Sequence, residues 1–211
     1  LSIRRQRQMC IRDRIEWNED NFNIFMNPYT KKCYDDKKFA FLSDYVRLVV
    51  IEANGGIYFD TDVEVVKSFD DLLDCKAFFG FETNEYVNTG VGFGAEAHNP
   101  AIIQMLKEYE PLLDGRQGII GCPHLNTKAL IKCGLKKNGQ KQDLKDASVF
   151  PAEYFNPYDA PTGKLNKSEL TYSIHWYAAS WMDKKQRLRS KISKPIHRLL
   201  GKDFFRKKQK N

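Results

Sequence analysis

An apolar stripe that runs into a double glycine, a short strand and two aspartates constrains this chain more than any other stretch. From Asp35 to Ala53 the apolar residues Phe39, Leu42, Val46, Val49, Val50 and Ala53 recur mostly at intervals of three and four, the period of a helix with one buried face. Asn54-Gly55-Gly56 then stops it, since both residue types tolerate the left-handed backbone that closes helix ends. Ile57-Tyr58-Phe59 follows as a short strand, Asp60-Thr61-Asp62 as an acidic turn, and Val63-Glu64-Val65 as strand again. A helix turning tightly into a strand is an α/β unit. Further strands are expected at Ala77–Phe81, Val87–Gly94 and Tyr172–Trp176, and helices at Ala101–Leu113 and near Leu125–Cys133. The segment from Asn156 to Lys167, with Pro157, Pro161 and Gly163, reads as loop.

A length of 211 residues with 42% hydrophobic content suits one domain with one good core. No stretch approaches the roughly 20 apolar residues of a membrane span, and the start lacks the order of a signal peptide. A cytoplasmic location is expected, with peripheral attachment to the inner face of the cell membrane. Cys10, Cys33, Cys75, Cys122 and Cys133 are odd in number and far apart, which favours free thiols over a disulfide framework or a zinc site.

The net charge of +7 is unevenly distributed. Residues 184–211 hold twelve Lys or Arg against Asp203 alone, and residues 1–14 hold five Arg against Asp13, so the middle is net −8. An acidic body excludes a nucleic-acid-binding function, which needs a positive surface on the folded part. The chain thus divides into 1–14, whose LSIRRQRQMCIRDR reads as a non-native, adapter-derived segment; a folded domain over 15–183; and a tail over 184–211. In the tail, Leu188, Ile192, Ile196, Leu199, Leu200, Phe204 and Phe205 fall roughly on one helical face among basic residues, a pattern suited to an anionic membrane surface.

Asp60 and Asp62 can converge on one divalent cation, and hard oxygen ligands suit Mg²⁺ or Mn²⁺. Such an ion neutralises the charge that develops as a diphosphate leaves. An isolated D-x-D is more often a solvated turn. The helix before it adds Asp44 and Arg47, three apart and on one face, with Ser43 one position upstream. Taken alone these are a surface ion pair of little energetic weight.

With those residues in view, SDYVRLVVIEANGGIYFDTDVEVVKSFDDLL resembles the family 32 glycosyltransferases, and is similar to the catalytic domain of the large clostridial glucosylating toxins. Helix, double glycine, strand and acidic pair coincide in order over about thirty residues. The likeness extends more weakly from IEWNEDNF near Ile15 to HWYAASW ending at Trp181. It implies a nucleotide-sugar transferase (GT-A-like), Rossmann-type fold with a mixed, mainly parallel sheet and flanking helices, whose N-terminal strand is missing here. It implies transfer of a sugar, with retention, from a nucleotide-sugar donor to a glycan, capsular-type polysaccharide or lipid-linked acceptor. Asp60 and Asp62 would be the catalytic pair at the metal and diphosphate. Ser43, Asp44, Arg47, Tyr58, Asn88 and Trp181 would line the donor sugar, and His175 would complete a site for Mn²⁺ or Mg²⁺.

Where Trp176 stands, family members often carry a second histidine, which leaves open how the roles divide. Glu82, Glu85 and Glu96 are candidate general bases, but a retaining reaction uses the leaving phosphate as proton acceptor, so none is assigned. His98, His124 and His197 receive no role. Two alternatives stay open: a haloacid-dehalogenase-like phosphohydrolase, in which a strand also runs into D-x-D, and a truncated, non-catalytic fragment that binds sugar or membrane.

Overall fold

The computed structural model of the chain describes residues 15–177, 193–195 and 197–198. Helix α1 spans Pro28–Asp35; Asn27 caps it by accepting from the Thr30 N–H at 2.9 Å, and Pro28 has no N–H to leave unpaired. The helix expected from Asp35 begins at Phe39, after Lys37 takes a φ of 55°. This helix, α2 (Phe39–Asn54), buries Leu42, Tyr45, Leu48 and Ile51 as one stripe. Gly55 and Gly56 take φ of 67° and 108°, and a Cβ on Gly55 would stand 2.8 Å from the Ala97 nitrogen. The double glycine is therefore both turn and close packing.

The remaining elements are β1 (Gly56–Tyr58), β2 (Val63–Val65), β3 (Ala77–Gly80), β4 (Phe93–Ala95), α3 (Pro100–Tyr109), α4 (Cys122–Lys132), β5 (Gln142–Asp143), β6 (Ser148–Phe150), α5 (Ala152–Phe155), β7 (Tyr158–Asp159), β8 (Lys164–Leu165) and β9 (Ser173–His175). Five strands form a mixed sheet in the order β1-β4-β3-β6-β5, while β2 pairs with β9 and β7 with β8 as two-stranded ribbons. The α/β, mixed-sheet architecture agrees with the expectation, but the sense of pairing differs from mainly parallel. In the described sheet β3 and β6 are parallel, whereas β1–β4, β3–β4 and β5–β6 are antiparallel. The reason lies in the connections: β3 reaches β6 through α3 and α4, the helical crossover a parallel pair requires, while the link from β3 to β4 contains no α-helix.

Alternation along the strands feeds two cores. Phe79, Phe93 and Val149 pack with α1 to α4, including Tyr45, Leu48, Ile102, Met105 and Leu130. Phe78 and Phe150 point to the other face and pack with Phe69, Leu72, Phe155 and Tyr172. All four residues of β3 are buried, as expected of a strand covered on both sides. Between α3 and α4, buried Glu108 accepts from Lys128 at 2.8 Å and from Lys132. Burial would push its carboxyl up, but the two lysines outweigh burial and hold it below the ordinary value.

The strand expected over Val87–Gly94 is broken. Val87 makes a lone bridge to Phe81, Thr89–Val91 is a 3-10 turn, and extended structure resumes at Phe93. Asn88 causes the break: its Oδ1 accepts from the Gly90 N–H at 2.7 Å, a local bond that competes with a ladder, and Gly92 follows at φ 115°. Cys33, Cys75, Cys122 and Cys133 are free thiols, the reading the sequence favoured, while Cys10 lies outside the described residues. Among the described residues no helix is long and apolar enough to cross a membrane.

Candidate active site

Asp60 and Asp62 sit on the turn between β1 and β2, closed by the Val63 N–H donating to the Asp60 carbonyl at 3.1 Å. β9 brings the third group from the far end of the chain. Its register sets His175 opposite Val63, and the Trp176 N–H donates to the Asp62 carbonyl at 3.1 Å. His175 Nε2 thereby lies 3.1 Å from Asp62 Oδ1. Asp60, Asp62 and His175 each offer a ligand atom, and these atoms lie within 4.8 Å of one another. Two carboxylates and one imidazole are a donor set that fits Mn²⁺ well and Mg²⁺ less well, because imidazole suits the transition metals.

Arg47 stands behind the acidic turn and is only 2% exposed. It is therefore not the surface ion pair that Asp44 and Arg47 would make by themselves, because Asp60 arrives from a different element to neutralise the same cation. Nη2 lies 2.9 Å from Asp44 Oδ1 and 3.1 Å from Asp60 Oδ1, while Nε donates to the Ser43 carbonyl at 3.1 Å. Nη2 also reaches Ser43 Oγ at 3.2 Å, and the guanidinium lies over the Tyr58 ring at 4.9 Å. Burial pulls the guanidinium down, but Asp44, Tyr58 and Asp60 more than reverse it, so Arg47 stays charged. Nη1 is buried and has no hydrogen-bond partner among the described residues. A buried donor without a partner costs free energy unless something fills the place.

Tyr58 donates its hydroxyl to Asp60 Oδ1 at 3.0 Å. Burial, with Asp60 against it, raises this phenol, which keeps it a donor at neutral pH. Tyr58 and Arg47 both hold Oδ1, which turns Oδ2 toward Gly90. Asp44 is raised by burial despite Arg47, and it lies against the backbone N–H and side chain of Cys122, the first residue of α4, which oppose that rise. A carboxylate there meets the positive end of the helix.

Residues 6–79 match the family described as a glycosyltransferase sugar-binding region containing a DXD motif. Over that stretch, about a third of its length, the chain is similar to the DXD glycosyltransferases. Glucan organizing enzyme 1 of Cryptococcus neoformans var. grubii serotype A is 44% identical over 48 residues. Those residues are 23% of this chain and 13% of that relative, so the chain spans only a small part of the relative's length. The match supports a family 32-type assignment, the one implied by the resemblance of Ser43–Leu73. It weighs against a phosphohydrolase, because the sequence matched is a sugar-binding one and the Asp44–Arg47 pair beside the acidic turn has no part in that reading.

The structure brings Ser43, Asp44, Arg47, Tyr58, Asp60, Asp62, Asn88 and His175 into one neighbourhood; Trp181 and most of 184–211 lie outside the described residues. Of that tail, Lys194 donates to the Tyr158 hydroxyl at 3.0 Å and Arg198 to the Gly163 carbonyl at 3.1 Å, both on the β7–β8 ribbon. Asn88 is engaged with Gly90 and with the Cys122 thiol at 3.3 Å.

Gly90, Cys122, Glu82 and Tyr177 were not assigned to the site from sequence. The NTGVG stretch was the available signal for Gly90. A Cβ there would stand 2.7 Å from Asp60 Oδ2, 3.0 Å from Arg47 Nη1 and 3.1 Å from Asn88 Oδ1. Gly90→Ala is therefore expected to push the DXD carboxylate aside, at a cost of about 1–3 kcal/mol in stability and a larger proportional loss in metal affinity. Thermal melts together with Mn²⁺ titration check this; unaltered Mn²⁺ affinity would refute it.

Proposed function

We propose that this chain is the body of a metal-dependent glycosyltransferase that moves a sugar from a nucleotide-sugar donor to a hydroxyl of a glycan, polysaccharide or lipid-linked acceptor, with retention. The observation that carries this is the convergence of Asp60, Asp62 and His175 within 4.8 Å, beside a buried arginine nitrogen that lacks a partner.

Asp60, Asp62 and His175 would hold the divalent ion. When bound, it supplies positive charge against the diphosphate of the donor as the sugar departs. Tyr58 and Arg47 orient Asp60 by gripping Oδ1. Arg47 Nη1 is the fixed donor for a sugar hydroxyl or phosphate oxygen, and its neighbours keep it charged and still. Asp44 would accept a sugar hydroxyl with the capacity that Arg47 and Cys122 leave it. The acidic pair is committed to the ion and Asp44 to Arg47, which leaves none of these as the base of an inverting attack. That supports retention, with the departing phosphate taking the acceptor's proton. The basic, apolar segment 184–211 would hold the body near membrane-borne acceptors.

The test is a panel of UDP- and GDP-sugars with Mn²⁺, Mg²⁺ or EDTA, reading both donor binding and turnover, on the whole chain and on one ending at Asp183, with anionic or neutral vesicles present. Metal-dependent turnover of one donor, boosted by anionic vesicles only for the whole chain, is expected. Donor binding without turnover would favour a non-catalytic fragment. Neither binding nor turnover with any donor would refute the reading.

A further inference from the structure

A histidine that holds a metal through one ring nitrogen is usually fixed by a hydrogen bond from the other, to a carboxylate or a carbonyl. His175 breaks that pattern. Its Nε2 faces Asp62, while Nδ1 is buried and has no hydrogen-bond partner among the described residues. What lies against the imidazole is the ring of Tyr177, with centroids 4.0 Å apart and planes inclined at 48°. Tyr177 is itself held in place from a distance. Its hydroxyl donates to Glu82 Oε1 at 2.8 Å.

Glu82 is firmly anchored. It stands two residues beyond β3, its N–H donates to the Tyr86 carbonyl at 2.8 Å, and its own carbonyl accepts from Asn156 Nδ2 at 3.2 Å. Asn156 follows α5, which leaves the end of β6, so both anchors stand beyond the carboxyl ends of the parallel pair β3 and β6. The backbone of Tyr177 also carries a signature of constraint. Its φ is +49°, a conformation a bulky side chain avoids unless its surroundings impose it. Tyr177 stands two residues beyond His175, the spacing that shares a strand face, and its ring lies against the imidazole.

We propose that Tyr177 is a positioning residue for the metal site: through the Tyr177–Glu82 hydrogen bond it clamps the His175 ring in the orientation that meets Asp60 and Asp62. The clamp does by packing what a second hydrogen bond to the imidazole does elsewhere. It rests on the proposed metal role of His175. It adds that the residue one beyond Trp176, and a carboxylate in the turn after β3, set how well that role is performed.

Two readouts on the full chain test this, one with metal and one without. Mn²⁺ affinity is titrated calorimetrically, and in the metal-free protein the His175 ring signals are followed by NMR, where a tyrosine ring held against the imidazole gives ring-current-shifted lines. Tyr177→Phe keeps the ring and removes the hydroxyl; it is expected to weaken Mn²⁺ by about tenfold, the scale of lost outer-shell support, and to move the His175 lines toward unshifted positions without lowering the melt by a comparable factor. Glu82→Leu should weaken Mn²⁺ in the same direction, and the double variant should be no worse than Tyr177→Phe, which already removes the Glu82 bond together with the hydroxyl's contact with the Asn156 side chain. Glu82→Gln, whose amide oxygen still accepts from the phenol, should keep Mn²⁺ affinity near that of the parent. Additive losses, or a Tyr177→Phe protein with parental Mn²⁺ affinity and parental His175 lines, would overturn the clamp while leaving the metal site standing. Shifted His175 lines that collapse in Tyr177→Phe, in a protein that binds no Mn²⁺ at all, would uphold the clamp and sink the metal role instead.

Discussion

Asp62→Asn should leave the fold standing and reduce sugar transfer by at least about a hundredfold, the scale on which removing one preorganised charge from a developing leaving group is felt. The side chain lies on a turn, is 22% exposed, and packs against neither core, so an isosteric amide costs little in stability. What disappears is the negative charge that makes Asp62 and His175 a cation site. The same change at Asp60 should separate from it in the melt, because Asp60 also neutralises Arg47 at 3.1 Å. Turnover with saturating Mn²⁺, read beside thermal unfolding, checks both. Near-normal turnover in Asp62→Asn would remove the metal assignment.

Arg47→Met should be the most damaging substitution to the fold within the site. Arg47 neutralises both Asp44 and Asp60, and taking one partner from a buried ion pair costs about 3–5 kcal/mol, through the charge left behind. At about 2–4 °C per kcal/mol for a domain of this size, the melt should fall by roughly 10 °C or more at neutral pH. The pH dependence has a definite sign. Burial already raises Asp44, and without Arg47 nothing comparable opposes it. A carboxyl whose folded pKa is raised loses stability as pH rises from its unfolded value through the folded one, so the deficit of Arg47→Met should shrink as pH falls through that window. Arg47→Lys keeps the charge and loses the planar fork, so catalytic efficiency should suffer more than the melt. Differential calorimetry across pH, with donor kinetics for the lysine variant, tests the pair. An unchanged melt in Arg47→Met would mean that Asp44 and Asp60 do not need the cation.

How much of this was legible beforehand depends on how local each cause is. The helix, the stop at Gly55-Gly56 and the acidic turn were readable because period and turn chemistry act over a few residues, and His175 was reachable through its HWYAASW motif. Asn27-Pro28 was an equally local signal for α1, and was passed over. Burial of Arg47 was not readable, since a charged residue on an apolar stripe becomes tolerable only when Asp60 folds back onto it. The sense of the sheet was lost for a related reason, because which strands become neighbours depends on crossovers and not on strand composition. Asn88 was read as part of a strand, although its side chain ends that strand by capping Gly90. Tyr177 shares a face with His175 by strand spacing, but its tie to Glu82 could not be read, since the two lie 95 residues apart.

The β2–β9 ribbon has a consequence for how the protein comes into being. Each strand is three residues long, and the Trp176 indole that braces the ribbon against Glu64 closes a separation of 112 residues. Closing a loop of that length from a free chain costs about 4 kcal/mol in entropy, far more than a ribbon of this size can repay alone. Its formation must therefore follow consolidation of the large core, and its opening needs less than global unfolding. During synthesis Asp60 and Asp62 emerge long before β9, so the nascent chain displays its acidic pair well before it can grip an ion. A divalent ion that binds once His175 arrives would act on the last closure of the fold, drawing it tight by mass action.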